Sequence, residues 1–160
     1  GLDTTDYVMH TVGTHVDIMH DGISETDKAV WHITDSLRAN LWFSGGIKRK
    51  YTVSMNPSTY TDPSLTPDGV STLGQPTPTV YAHQTAAVRY ANVYEPYIVG
   101  RPCVERVKWT YENGQPVRMK VSMTNGVVDV IDLRDEILIE RITKDGTTHI
   151  LWSSHWLSKI

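Results

Sequence analysis

The sequence predicts an all-β, mainly antiparallel domain of β-sandwich type, with one short helix and one long proline-rich loop. Three observations carry that prediction. Apolar and polar residues alternate with period two through the second half. Asn113-Gly114, Asn125-Gly126 and Asp145-Gly146 punctuate the alternation, and such pairs tolerate the positive φ angles of tight hairpin turns. The third is composition: eight Tyr and five Trp stand against one Phe, a balance suited to half-buried sheet faces and contact surfaces. A chain of 160 residues fits one domain, 1–160, with one hydrophobic core.

Taken in order, the N-terminal third offers a strand from Val8 to Met19 and then a helix. Ser24 can cap that helix, with Asp27 near its third position, and Val30, Ile33 and Leu37 share a face at i, i+3 and i+7. Leu41 to Met55 reads as a long strand, with Gly45-Gly46 marking a bulge or bend. Asn56 to Thr79 holds five of the eight prolines among Ser, Thr, Gly and Asp. A loop of that length in one domain is functional or mobile. Ala86 to Val99 supplies another strand. The meander then follows as Val104–Tyr111, Val117–Met123, Val127–Leu133, Ile137–Ile142 and His149–Trp152.

Charge and cysteine usage exclude several classes. A net charge of −3 and a pI near 6.1 give no general affinity for nucleic acid or anionic membranes. Lys48-Arg49-Lys50, flanked by Ile47 and Tyr51, fits a strand better than a basic patch. One cysteine, Cys103, rules out an intramolecular disulfide and a Cys-rich zinc site. With no partner pattern beside it, the expectation is a buried, inert thiol. No apolar run approaches the ~18 residues of a membrane helix. The N-terminus lacks the layout of a signal peptide. A start at Gly1 suggests release from a longer chain or an expression artefact.

Candidate chemistry is sparse. His10, His15, Asp17, His20 and Asp21 cluster in HTVGTHVDIMHD. On a strand, His15 and Asp17 share a face and could supply two metal ligands, but a third must come from elsewhere because His20 has the opposite parity. Surface histidines on a strand are the plainer reading. Asp132, Asp135, Glu136 and Glu140 fit a solvated turn and an outward strand face better than an acid–base pair. Ser153-Ser154-His155 sets hydroxyls beside an imidazole only in sequence, and no Gly-x-Ser-x-Gly elbow or phosphate-binding loop occurs. Tyr7, Trp42 and Tyr51 could stack bases, without the basic spacing of a single-strand binder. Nothing implies an enzyme or a cofactor.

Two stretches carry a family likeness. Leu37-Arg38-Ala39-Asn40-Leu41-Trp42-Phe43-Ser44-Gly45-Gly46-Ile47-Lys48-Arg49-Lys50-Tyr51 is similar to a short helix running into a strand with an aromatic-x-Arg-Gly-small-apolar-basic core. Val88-Arg89-Tyr90-Ala91-Asn92-Val93-Tyr94-Glu95-Pro96-Tyr97 is similar to a strand ending in an apolar-x-x-Pro-Tyr corner. Together they resemble the jelly-roll capsid proteins of picorna-like viruses (Picornavirales), over roughly a third of the chain. Ser44 stands where that family has Arg, and Glu95 where an apolar residue is common.

The resemblance implies a jelly-roll-like sandwich in a non-enzymatic virion protein, found in the virion and in host cytoplasm during assembly. Its copies and sister subunits would pack into an icosahedral shell. Nucleic acid would be met only indirectly, by enclosing the genome, and surface loops would meet a receptor or glycan. The length suits a shortened member, a cleavage product or a projecting domain. Trp42, Trp109, Trp152 and Trp156 are the candidate interface or binding residues, and each is equally compatible with the domain's own core. Two other classes stay open. One is a β-sandwich carbohydrate-binding module stacking sugars on Trp42 or Trp109. The other is a metal-dependent enzyme using His15 and Asp17.

Overall fold

The fold is described from a computed structural model over residues 5–11, 13–22, 26–57, 76–84, 88–134 and 137–153. These residues form twelve strands: β1 (Thr5–His10), β2 (His15–Asp21), β3 (Thr26–His32), β4 (Leu37–Trp42), β5 (Arg49–Pro57), β6 (Pro76–Gln84), β7 (Val93–Ile98), β8 (Val104–Glu112), β9 (Gln115–Met123), β10 (Val128–Asp132), β11 (Leu138–Ile142) and β12 (Thr148–Ser153). All pairings are antiparallel, in sheets ordered β1-β6-β5, β2-β3-β4-β7 and β12-β11-β10-β9-β8. The chain crosses repeatedly between the first two sheets and then closes with a meander. The all-β sandwich predicted from the sequence is the fold observed.

The four-stranded sheet is a central layer with apolar residues on both faces. Ala29 and Trp31 of β3, Ala39 and Leu41 of β4, and Val16 of β2 pack with Phe43 against Val80 and Ala82 of β6. Trp42, from the opposite face of β4, packs with Val104, Val107 and Val121 of the meander. Such two-sided burial explains a correction. In place of the expected helix over 24–37, the described part folds as β3 and the start of β4. A strand buried on both faces carries adjacent apolar residues such as Val30-Trp31, so alternation fades and a chance i, i+3, i+7 spacing looks helical. Ser24 lies outside the described residues, which contain no helix.

Two other expected strands are each divided. Leu41 to Met55 is broken at residues 43–48, where the chain leaves β4 in one sheet and enters β5 in the facing one. Val8 to Met19 is likewise split into β1 and β2, in different sheets. Ala86 to Val99 contracts to β7, with residues 88–92 irregular and 85–87 outside the described region. The flanks of the proline-rich stretch are strand, since Asn56-Pro57 closes β5 and Pro76 to Thr79 opens β6. Residues 58–75 lie outside the described region.

Pro76 and Pro78 sit in the middle strand of their sheet, where proline ordinarily breaks the ladder. They are tolerated because β1 pairs with β6 only as far as His10↔Thr79, so both prolines lie beyond its reach. The turn signals of the meander hold. Asn113 and Gly114 adopt φ of 50° and 75°, matching the turn that twisted hairpin strands favour. Among the described residues no helix is long and apolar enough to cross a membrane.

Candidate functional site

The β2–β3 hairpin brings together the most chemically distinctive group. Its register sets His15 opposite His32 and Asp17 opposite Val30. All three polar side chains therefore stand on one face, away from the Trp31 core. His32 Nε2 lies 2.9 Å from Asp17 Oδ2, and His15 Nε2 lies 3.9 Å from the same oxygen. The two imidazoles stack with centroids 3.8 Å apart and planes at 19°. One nitrogen or oxygen from each of the three falls within 4.8 Å of the others. His15 and Asp17 were legible as a pair from parity alone. His32 was not, because its stretch looked helical.

The turn leading into β2 buttresses this cluster. Thr14 N donates to His32 O at 2.8 Å, and Thr14 Oγ1 reaches the same carbonyl at 3.2 Å. Thr14 Oγ1 also lies 2.9 Å from His15 Nδ1. Gly13 makes so close an approach possible: with φ of +154°, any Cβ there would meet His32 O at 2.7 Å.

A second polar group lies at the other end of the hairpin. Asp27 accepts a 2.8 Å hydrogen bond from Tyr51 Oη through Oδ2, while His20 Nδ1 lies 3.4 Å from Oδ1. Burial, followed by this bond to Asp27, pushes the Tyr51 phenol well above its ordinary range. Asp27 therefore has occupied partners and is a structural acceptor rather than a general base in waiting. Arg49, from the basic triplet, is turned inward as well. It donates to Gln84 Oε1 (2.9 Å), Ser44 O (2.5 Å) and Ser44 Oγ (2.8 Å), and packs over the Tyr90 ring at 5.0 Å. Lys48-Arg49-Lys50 is thus no basic patch, because its middle member holds the bend after β4.

The tryptophans separate by environment. Trp42 is buried between the central sheet and the meander, with Lys28 Nζ 4.5 Å from its ring centroid, so its indole is closed to a sugar or a neighbouring chain. Trp109 packs against the same core, and its Nε1 donates to Ala91 O at 2.9 Å. Trp152 is half-exposed on β12. Trp156 lies outside the described residues, as do Ser154, His155, Asp135 and Glu136. Asp132 is held by Arg118 and Arg134, and Glu140 sits on β11. Cys103 is exposed rather than buried. Its backbone N–H donates to Glu95 Oε1 at 2.6 Å.

Exposed apolar side chains stand on edge strands of all three sheets, among them Val8 on β1, Met19 on β2, and Val53 and Met55 on β5. On β7 and just beyond it, Tyr94, Ile98 (57% exposed) and Val99 stand uncovered; on β12, Ile150 (56% exposed) and Leu151 do. Each strand ends its sheet among the described residues. No family model, curated protein or solved structure matches this chain.

Proposed function

We propose that the chain is a non-enzymatic structural subunit of a picorna-like virion, packing with copies and sister subunits into an icosahedral shell around the genome. The observation that supports assembly is the set of exposed apolar residues on edge strands of all three sheets, the most exposed being Ile98 on β7 and Ile150 on β12. An exposed apolar edge strand is a template for pairing with another chain, and natural monomers blunt such edges with charge, bulges or covering loops. β12 has a register shift opposite Ile139/Glu140 but still exposes Ile150 and Leu151. Apolar edges in different sheets suit a subunit that meets more than one neighbour through head-to-tail contacts, as a closed shell requires. The capsid assignment itself rests on the sequence likeness at 37–51 and 88–97. Contacts with a host receptor or glycan belong to the same reading.

The test is the mass and shape of the purified chain, by light scattering across a concentration series and by electron microscopy. Rings, shells or a concentration-dependent oligomer are expected. Ile98→Asp and Ile150→Asp should each shift it toward monomer without lowering Tm. A chain that stays monomeric at the highest concentrations would remove the assembly reading.

A further inference from the structure

We infer that His15, Asp17 and His32 form a binding site for one divalent transition-metal ion of the zinc class, independent of any shell-forming role. Three observations converge. The first is the donor set: two imidazoles and one carboxylate suit zinc, copper, nickel or cobalt, whereas calcium and magnesium prefer all-oxygen cages.

The second is spacing. Donors at zinc-ligand bond lengths stand roughly 3.3 Å apart around a tetrahedral ion. The separations of 2.9 Å and 3.9 Å to Asp17 Oδ2 bracket that value. All three ligand atoms already lie within 4.8 Å of one another. Both side chains on β2 are more than half exposed, so the His15 ring has room to swing out of its stack on His32, the movement that lets the two in-plane lone pairs converge on one ion.

The third is the setting of His15. Thr14 Oγ1, which donates to His32 O, lies 2.9 Å from His15 Nδ1 and can accept the Nδ1 proton. In that arrangement Nε2, the nitrogen facing the Asp17 carboxylate, is the one left to bind a cation. Metal-ligating histidines are ordinarily oriented in this way, with the remote ring nitrogen donating to an outer acceptor. Asp17 and His15 come from β2 and His32 from β3, so the ion would cross-link the two strands. At His32 it would take the place of the Nε2 proton now shared with Asp17. The fourth position would be left to water or a donor from another molecule.

The experiment uses the full chain, stripped with a chelator and titrated calorimetrically with Zn2+, with Co2+ as a spectroscopic probe. Saturable uptake of one equivalent and a visible cobalt band are expected. His15→Gln, His32→Ala and Asp17→Asn should each weaken binding at least tenfold, while His20→Ala leaves it unchanged. Zn2+ should raise the Tm of the unmodified chain and of His20→Ala but not of the three ligand variants. Melting curves without metal identify any variant that fails to fold, and the conclusion is drawn from those that do. Absence of saturable uptake, or weakening of less than tenfold in the folded ligand variants, overturns the proposal.

Discussion

The indole N–H of Trp31 donates to the carbonyl oxygen of Pro78 at 3.0 Å, a buried bond between β3 of the central sheet and β6 of the sheet facing it. Trp31 is fully buried, as is Pro78. Trp31→Phe keeps most of the ring but loses this bond and leaves a small void, so stability should fall by about 2 kcal/mol. Trp31→Ala should cost about 3–5 kcal/mol. Denaturant unfolding measures both. A loss under about 0.5 kcal/mol in Trp31→Phe would show that ring volume alone joins the sheets.

Glu95 fastens the other interface. Its Oε1 accepts the backbone N–H groups of Cys103 (2.6 Å) and Val104 (2.8 Å), and its Oε2 accepts Asn40 Nδ2 (3.0 Å). Glu95→Ala strands these donors and should cost about 3 kcal/mol. Glu95→Gln should stay within about 1 kcal/mol, because its carbonyl oxygen can keep both N–H groups. The Asn40 amide can then turn its Oδ1, buried without a partner, toward the new NH2. Equal destabilisation by the two substitutions would mean that the charge, not the accepting oxygen, matters.

These two contacts mark where sequence reading stops. The meander was legible because its strands alternate apolar and polar residues and three of its four connections carry Asn-Gly or Asp-Gly. The central sheet was not, since burial of Ala29 and Trp31 on one face and Trp42 on the other erases the alternation that identifies a strand. Likewise His15 and Asp17 announced themselves two residues apart, whereas His32 joins them only through a strand pairing. Glu95 looked like a departure from an apolar position. Its role appears only once β8 is placed beside it.

Acid should weaken the meander through Asp132. Hydrogen bonds from Arg134, outweighing a smaller opposing effect of burial, and a further one from Arg118 hold this carboxyl well below the usual carboxylate range. A depressed folded-state pKa stabilises the fold above the unfolded value, about 3.9, and that contribution is lost as pH falls below it. The arginines are about half exposed, which limits the contribution to about 1 kcal/mol. Arg134→Ala should therefore lower stability at pH 7 and have little effect once Asp132 is protonated. A pH series of chemical denaturation reads this directly. A deficit that does not shrink in acid would assign Arg134 a role other than its ion pairs with Asp132 and Glu112.

The turn before β2 should tolerate no side chain at Gly13. Its φ of +154° lies in a region that L residues rarely adopt, and an added Cβ would stand 2.7 Å from His32 O, well inside van der Waals contact. His32 O is backbone and the Cβ position is fixed by the backbone at residue 13, so no rotamer change relieves the clash. The turn or β3 must move. Gly13→Ala should cost about 1–3 kcal/mol and weaken both Thr14 contacts to His32 O. The stacked histidines should separate with it, seen as a change in their ring-proton NMR shifts, while signals of the meander stay in place. Because Thr14 orients His15, zinc affinity should fall in the same variant, roughly tenfold or more by analogy with other outer-shell losses. Unchanged histidine shifts with lowered stability would locate the strain in the turn alone and dissociate it from the His15–Asp17–His32 cluster.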